Sequence, residues 1–273
     1  MSTGAPRLYA IAPGIPFVDA LARGLIARLG DQGHDGHDGD PLALARATVL
    51  LPTRRAVRSL REAFLRVTDG RSLLLPRMMP LGDLDEDELA LAPDPATGSA
   101  PNGPAAGSLP PVIGGLRRQL LLAQLVLHFG GARWEVADPG QAVELAAELA
   151  RLLDQMETER IGFDSLAALA PTEESLARHW GEVLAFLKIV SEHWPAVLAE
   201  EGAIGPATRR DRLLAAQAAS WAENPPDGWV IAAGSTGSIP ATADLLATVA
   251  GLERGCVLLP GLDGDLDDAV WAQ

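Results

Sequence analysis

The chain has 273 residues, 48% of them hydrophobic, and a formal net charge of −14 at pH 7. This length allows one large domain or two ordinary ones, and the acidic balance is untypical of a protein that binds nucleic acid over its whole surface. Cys256 is the single cysteine, which excludes a disulfide, a cysteine-ligated zinc site and an iron–sulfur cluster formed within the chain. The sequence has neither a signal-peptide core nor a run of ~18 apolar residues, so we expect a cytoplasmic protein with no membrane-spanning segment.

The first ninety residues alternate between strand and helix patterns. The apolar run Leu8–Ala12 predicts a strand, and residues 16–29 follow with leucines on one helical face. Ala47–Leu51 predicts a second strand, residues 53–67 an amphipathic helix with a threonine cap, and Leu73–Pro76 a third, short strand. We interpret 31–40, with its histidines and aspartates, and the acidic run 83–88 as solvated connections; residues 91–111 are rich in Pro, Gly, Ala and Ser and predict a linker.

A nucleotide-binding P-loop would stand between the first strand and the first helix. That position holds Pro13-Gly14-Ile15-Pro16, with no lysine for the phosphates and no hydroxyl for magnesium. The two prolines also lack the backbone N–H groups that would cradle a phosphate. The sequence therefore predicts no ATP hydrolysis at this loop.

Arginines are concentrated around the second helix. Between Thr48 and Arg77 there are seven arginines against two acidic residues, a local net charge of +5. Arg54, Arg58 and Arg61 form one stripe of that helix, which makes it a candidate phosphate-binding surface. The alternative is a solvated helix face whose arginine stems pack over the core.

The rest of the chain predicts a helical middle and a return to the sheet. Residues 112–226 predict helices, including one that starts with a capping box at Asp138–Gln141. One stripe of that helix is expected to be apolar: Leu145, Leu149, Leu152, Leu153 and Met156.

The last quarter has a strand, a loop at Gly234–Ser238, a helix over 239–250 capped by Ser238, and a strand at Cys256–Pro260. Strands at both ends around helices predict an α/β fold: residues 1–90 and 227–273 form one parallel sheet, with 112–226 inserted as an all-helical subdomain. Residues 261–268 predict a polar turn from strand to helix, and Ala269–Trp271 resembles the start of a further element. We therefore expect the chain to be a truncated piece of a longer protein.

Four stretches in this order resemble the N-terminal region of the AddB family, the second subunit of AddAB helicase–nucleases that process double-strand DNA breaks. The resemblance is closest to the alphaproteobacterial type. It is carried by Ile11–Phe17, Val49–Ala56, Leu81–Glu88 and Ala232–Thr242, which together span nearly the whole chain.

The resemblance implies a superfamily 1 helicase-like core with a RecA-like parallel sheet, an inserted helical subdomain and no motor activity. Working helicases have an acidic magnesium-binding motif where this chain has Ala232-Ala233-Gly234-Ser235. The family's nuclease and its iron–sulfur cluster would lie in a C-terminal part that is not present, so no cofactor is expected in this chain. In active relatives the turn after the second strand touches single-stranded DNA, which implies DNA contact by Thr53, Arg54, Arg55 and Arg58. The implied partners are DNA, bound weakly by this chain alone, and the AddA helicase–nuclease subunit, in the nucleoid.

A Rossmann-like enzyme that binds a nucleotide or a phosphorylated metabolite at Gly234–Ser238 is the alternative function. The match is weak because the dinucleotide fingerprint needs a third glycine and an acidic residue ~20 positions further on. Asp244 comes too early for that role, and Glu253 precedes the second strand of the unit.

Overall fold

The computed structural model describes residues 5–29, 42–81, 109–130, 138–167 and 174–261, and the chain divides into two compact units. Unit 1 comprises residues 1–106 and 214–273, and unit 2 comprises Gly107–Leu213. The sequence features at 31–40 and 83–88, and the predicted linker as far as residue 108, lie outside the described ranges. The domain limits and the helical insertion inferred from the sequence stay predictions.

Unit 1 is built from strands and helices that alternate along the chain. Its strands are β1 (Leu8–Ile11), β2 (Thr48–Leu51), β3 (Arg77–Pro80), β4 (Val230–Ala233) and β5 (Gly255–Pro260). Its helices are α1 (Phe17–Leu29), α2 (Ala43–Arg46), α3 (Arg54–Val67) and α9 (Pro240–Gly251). Unit 2 contains α4 (Gly115–Gly130), α5 (Pro139–Glu159), α6 (Phe163–Ala167) and α7 (Glu174–Glu200). Helix α8 (Pro206–Glu223) runs through the division between the units.

The five strands form one parallel sheet in the order β1-β5-β4-β2-β3. The predicted α/β class with a parallel sheet made from both ends of the chain is confirmed. In the centre of the sheet, β4 pairs with β2 on one side and with β5 on the other. Its four residues are all buried, because a central parallel strand is covered on both faces.

Alternate residues of each strand belong to two separate cores. On the side called here the α1 side, Leu51, Ala233 and Cys256 pack with α1 and α3. On the opposite side, called the α9 side, Leu50 and Val257 pack with α9 and with the part of α8 that belongs to unit 1. Helices α1 and α3, in connections that lead toward β3, lie on the α1 side, and α9, in the connection that leads toward β1, lies on the α9 side, so these three connections have one hand, as the right-handed crossover rule requires.

The third strand lies later in the chain than the sequence predicts. Leu73–Pro76 is irregular and Leu74 is 62% exposed, so that expectation is wrong. The strand is β3, in which Arg77 pairs with Thr48 and its backbone N–H donates to the carbonyl of Ala47 at 2.9 Å. Hydrogen bonding with β2 makes Arg77–Pro80 the strand, and not the leucine run before it. The sequence of the leucine run contains no signal for this pairing.

Unit 2 has a helical core of its own. The N-cap of the predicted capping box is confirmed: the Asp138 side chain accepts a hydrogen bond from the Gly140 N–H at 3.2 Å. The predicted stripe is wrong at Leu145, which is 40% exposed, since Ala142 and Ala146 occupy the buried face above Leu149. The other buried positions of the helix are Leu153 and Met156.

Candidate nucleic-acid interface

The loops that follow β1, β2 and β4 meet at the carboxyl edge of the sheet. Carboxyl ends of parallel strands share one edge, and ligands of open α/β sheets bind there. The closest approach involves Gly234, which follows β4. A Cβ atom at this glycine would lie 3.3 Å from Cε1 of Phe17 and 3.7 Å from Cδ of Pro52. Phe17 and Pro52 thus both lie beside Gly234.

The loop after β1 is a turn without phosphate chemistry. Gly14 has a φ of +84°, and the Ile15 N–H donates to the Ala12 carbonyl at 3.3 Å. In the first turn of α1, Asp19 accepts a hydrogen bond from Nη2 of Arg66 at 2.5 Å. This carboxylate lies in the first turn of the helix, where the dipole favours negative charge, and it already receives a hydrogen bond from an arginine.

The loop after β2 leads directly into α3, whose first turn carries the predicted site residues. Thr53 has extended backbone, and its Oγ1 accepts a hydrogen bond from the Ala56 N–H at 3.1 Å, which confirms the predicted cap. The side chains of Arg54, Arg55 and Arg58 are all exposed. The structure therefore brings the four predicted residues together in one and a half turns of helix at the carboxyl edge.

The helix N-terminus at Thr53 is electrostatically suited to an anion. The first turn of α3 contains no acidic residue, and the backbone N–H groups of Arg54 and Arg55 precede the first donor of the helical ladder, Val57. These N–H groups and the aligned peptide dipoles favour negative charge at this end.

The surrounding surface is basic, although the chain is acidic. The described residues 5–29 and 42–81 contain 11 arginines and three acidic residues, a net charge of +8. Some of these arginines have structural contacts: Arg66 with Asp19, and Arg28 with the ring of Tyr9 at 5.5 Å. Burial also lowers the pKa of the Arg77 guanidinium, which is half-buried in β3. The arginines in the first turns of α3 are exposed and add to this basic surface.

The loop between β4 and α9 is shaped by its own packing. Gly234 and Gly237 have φ of +80° and +69°, and the Gly234 N–H donates to the Leu258 carbonyl at 2.9 Å. A Cβ at Gly237 would lie 3.2 Å from Cδ1 of Leu246. The predicted cap at Ser238 is wrong: α9 is preceded by Ile239, which makes no side-chain cap hydrogen bond.

The described residues hold little other chemistry. Across these ranges no three His, Cys, Asp or Glu side chains come together as a metal site. Burial raises the pKa of the Cys256 thiol to about 11, against the opposing effect of Arg28 and Arg7. The thiol is therefore protonated and unreactive near neutral pH.

Phe17 and the Asp19–Arg66 pair are the parts of the site that sequence reasoning did not identify. Phe17 belongs to a stretch with an evident helical pattern, which predicts a core residue and says nothing about a contact with a glycine more than 200 positions away. Asp19 and Arg66 are 47 residues apart, and no spacing rule relates such positions.

Comparison with known proteins does not identify a family for this chain. No protein-family model matches it, and a search of curated proteins finds no significant match. Within the part of the chain that the structure describes, no helix has the length and hydropathy needed to cross a membrane.

Proposed function

We propose that this chain is the N-terminal, non-motor, helicase-like part of a double-strand break repair helicase–nuclease subunit of the AddB type. In this role it contacts DNA through Thr53, Arg54, Arg55 and Arg58 and docks on the AddA subunit in the nucleoid. The observation that carries the proposal is the start of α3, where exposed arginines flank a helix N-terminus at the carboxyl edge of a RecA-like parallel sheet.

The chemistry of the DNA contact is that of phosphate recognition. The planar guanidinium of Arg54 or Arg55 can donate two parallel hydrogen bonds to phosphate oxygens, and the N–H groups of the helix start add further donors. Phosphate contacts position a protein on DNA without reading bases, so binding should be nearly independent of sequence. The net charge of −14 opposes DNA elsewhere, so the isolated chain should bind weakly.

A non-motor role is supported by the residues at the loop between β1 and α1, where a motor protein would bind the phosphates of its nucleotide. Pro13 and Pro16 remove backbone donors, Asp19 places a carboxylate in the first turn of α1, and Phe17 fills the space beside Gly234. A triphosphate at this position would meet an aromatic ring and a carboxylate that is paired with Arg66, and it would find no lysine. These features argue against nucleotide turnover at this position.

The proposal is tested by replacing Arg54 and Arg55 with Ala in the intact complex and measuring single-stranded DNA binding at several salt concentrations. Each arginine that neutralises a phosphate releases condensed counterions. We therefore expect a loss of about 1–3 kcal/mol in binding free energy and a salt slope reduced by about one to two. The loss should be similar for DNA of different sequences.

The matched control is Arg151→Ala with Arg212→Ala, which removes the same charge from exposed positions of unit 2. The control should leave both the affinity and the salt slope near the wild-type values. Equal effects of the two double variants would mean that only overall charge matters. An unchanged slope in the Arg54/Arg55 variant, with folding intact, would make α3 an ordinary solvated helix.

The second candidate function is an enzyme that binds a nucleotide or phosphorylated metabolite at Gly234–Ser238. One observation favours it: α9 begins without a side-chain cap, which leaves backbone N–H groups at its start for an anion. Against it, the contacts of Gly234 with Phe17 and of Gly237 with Leu246 account for both glycines without a ligand.

A further inference from the structure

The two edge strands of the sheet, β1 and β3, differ in the outer edge that they present. At β3, the N–H groups of Arg77 and Leu81 bond to the chain of β2, so the backbone groups of Pro76, Met78 and Pro80 face outward. Two of these three outward residues are prolines, which have no N–H to donate. The edge of β3 is therefore protected against the addition of a further strand.

The outer edge of β1 has no such protection. The carbonyls of Arg7 and Ile11 accept hydrogen bonds from the chain of β5 at 2.9 and 2.8 Å, so alternation along the ladder turns the backbone N–H and C=O groups of Leu8 and Ala10 outward. Across the described residues, no hydrogen bond engages these outward groups. The strand itself contains no proline. Such an edge can pair with the backbone of another extended segment.

The side chains of β1 on the α9 side are also uncovered. Register places Leu8 beside Val257 and Ala10 beside Leu259, and both of these neighbours belong to the α9-side core. Leu8 is nevertheless 58% exposed, and Ala10 is exposed too. A strand added at this edge would place every second side chain on the same face, where apolar side chains would cover both residues.

The opposite face of β1 carries a positive charge. Tyr9 lies on the α1 side, and the guanidinium of Arg28 lies 5.5 Å from the centroid of its ring. Residues 5–29 contain three arginines and one acidic residue, Asp19, whose carboxylate already accepts a hydrogen bond from Arg66. An acidic side chain placed beside Tyr9 by an added strand would therefore be attracted to Arg28.

We propose that the outer edge of β1 binds an extended segment of a partner protein, which adds to the sheet as a further strand. This segment alternates apolar residues, which cover Leu8 and Ala10, with acidic residues, which lie beside Tyr9 and pair with Arg28. Backbone hydrogen bonds provide affinity, and the alternating side chains provide specificity. The site is separate from the DNA contact proposed at α3 and does not depend on it.

A second copy of this chain does not have the required chemistry. Two β1 edges paired antiparallel about a two-fold axis would bring the Arg28 side chains of both copies to the same side of the seam. Like charges that face each other across paired strands are destabilising. The charge of this edge thus favours an acidic partner over self-association.

Peptide binding by the 273-residue chain, measured by fluorescence anisotropy, tests the proposal. The probe is a short, capped, fluorescent peptide that alternates valine with glutamate, and we expect it to bind saturably. One control peptide is methylated at alternate backbone nitrogens, which keeps the side chains and removes the donors that face β1. A second control has lysine in place of glutamate. Both controls should bind at least about tenfold more weakly.

Variants of the chain locate the site. Ala10→Pro removes an outward N–H and should weaken binding at least about tenfold, whereas Ala10→Ser keeps the N–H and should stay within about twofold of wild type. Arg28→Glu should reverse the preference, so that the lysine peptide binds more tightly than the glutamate peptide, and this result does not require the proline variant to fold. Arg151→Glu makes the same charge change at an exposed position of α5 and should leave the preference intact.

The proposal is overturned if the glutamate peptide does not bind saturably, or if the lysine peptide binds as tightly. An unchanged preference in folded Arg28→Glu would also overturn it, as would full affinity in folded Ala10→Pro. Self-association that grows with protein concentration and competes with the peptide would identify a second copy as the occupant and would overturn it too.

Discussion

At the scale of single residues, the fold depends on positions where only a small side chain fits. Gly255 begins β5, and a Cβ there would overlap the carbonyl oxygen of Val249 at the end of α9. The Gly255 N–H donates to the Leu252 carbonyl, so the turn from α9 into β5 is held tightly by backbone contacts. Backbone atoms cannot move aside as a flexible side chain can, so the glycine is required for packing and not for a ligand.

We expect Gly255→Ala to lower the free energy of unfolding by about 1–3 kcal/mol through overpacking. The matched control is Gly24→Ala in α1, where an added Cβ meets nothing within 4 Å. Because alanine restricts the unfolded chain and favours helix, the control should be stabilised by about 0.5–1 kcal/mol. Urea denaturation of the three proteins measures both effects, and a Gly255 variant as stable as the control would show that the α9–β5 turn can relax.

At the scale of elements, α3 connects the core to the proposed DNA contact. Its buried residues Val57, Leu60, Ala63 and Phe64 lie against the α1 side of the sheet. The same helix exposes Arg54, Arg55 and Arg58 at its start. The cap by Thr53 holds that start in place, because its hydroxyl satisfies one of the N–H groups that the helix leaves without a partner. The stability of α3 and the proposed DNA contact thus depend on the same first turn.

Removing this cap should have a measurable cost. Thr53→Ala is expected to reduce the free energy of unfolding by about 0.5–2 kcal/mol, whereas Thr53→Ser keeps the hydroxyl and should stay near wild type. Chemical denaturation followed by circular dichroism gives the comparison. The alanine variant should also weaken DNA binding without changing the salt slope, because no charge is removed. A drop in salt slope in the alanine variant would contradict that reasoning.

At the scale of the whole molecule, charge is divided unevenly along an acidic chain. The described residues 5–29 and 42–81 have a net charge of +8. The whole chain has a net charge of −14, so the remaining residues together have a net charge of −22. Such asymmetry favours one anionic partner at one surface of unit 1. It does not require a nucleotide, because the loop at Pro13–Pro16 and the residues Ala232–Gly234 lack the lysine and the acidic pair of a motor site.

We therefore expect no ATP hydrolysis by this chain, with or without single-stranded DNA. Steady-state phosphate release measures it, and thermal denaturation with excess ATP or NAD measures binding, since a ligand of the native state raises the melting temperature. Phosphate release should not exceed that of a buffer control, and the melting temperature should not rise when either nucleotide is added. Turnover that disappears when Phe17 or Gly234 is changed would instead support the enzyme alternative.

Much of unit 1 can be predicted from the sequence because its signals are local. The strands around Leu8, Val49, Val230 and Val257 are short apolar runs, which buried parallel strands require. The cap residues Thr53 and Asp138 bond to N–H groups within three positions of themselves. The four candidate DNA contacts lie within six consecutive residues at the start of one helix. Their closeness in the sequence was therefore enough to predict that they lie close together in the structure.

Other features depend on contacts between distant parts of the chain. The sequence did not specify the strand order β1-β5-β4-β2-β3, the start of β3 at Arg77, or the meeting of Phe17 with Gly234. Each of these depends on which segments pack together after chain closure, and many pairings have similar local propensities. The sequence by itself determined which segments become four of the five strands, where α3 and α5 begin, and where the arginines stand. Tertiary structure alone decided which loops lie next to one another at the carboxyl edge. The packing energy that holds these loops together arises only when residues hundreds of positions apart, such as Phe17 and Gly234, come into contact.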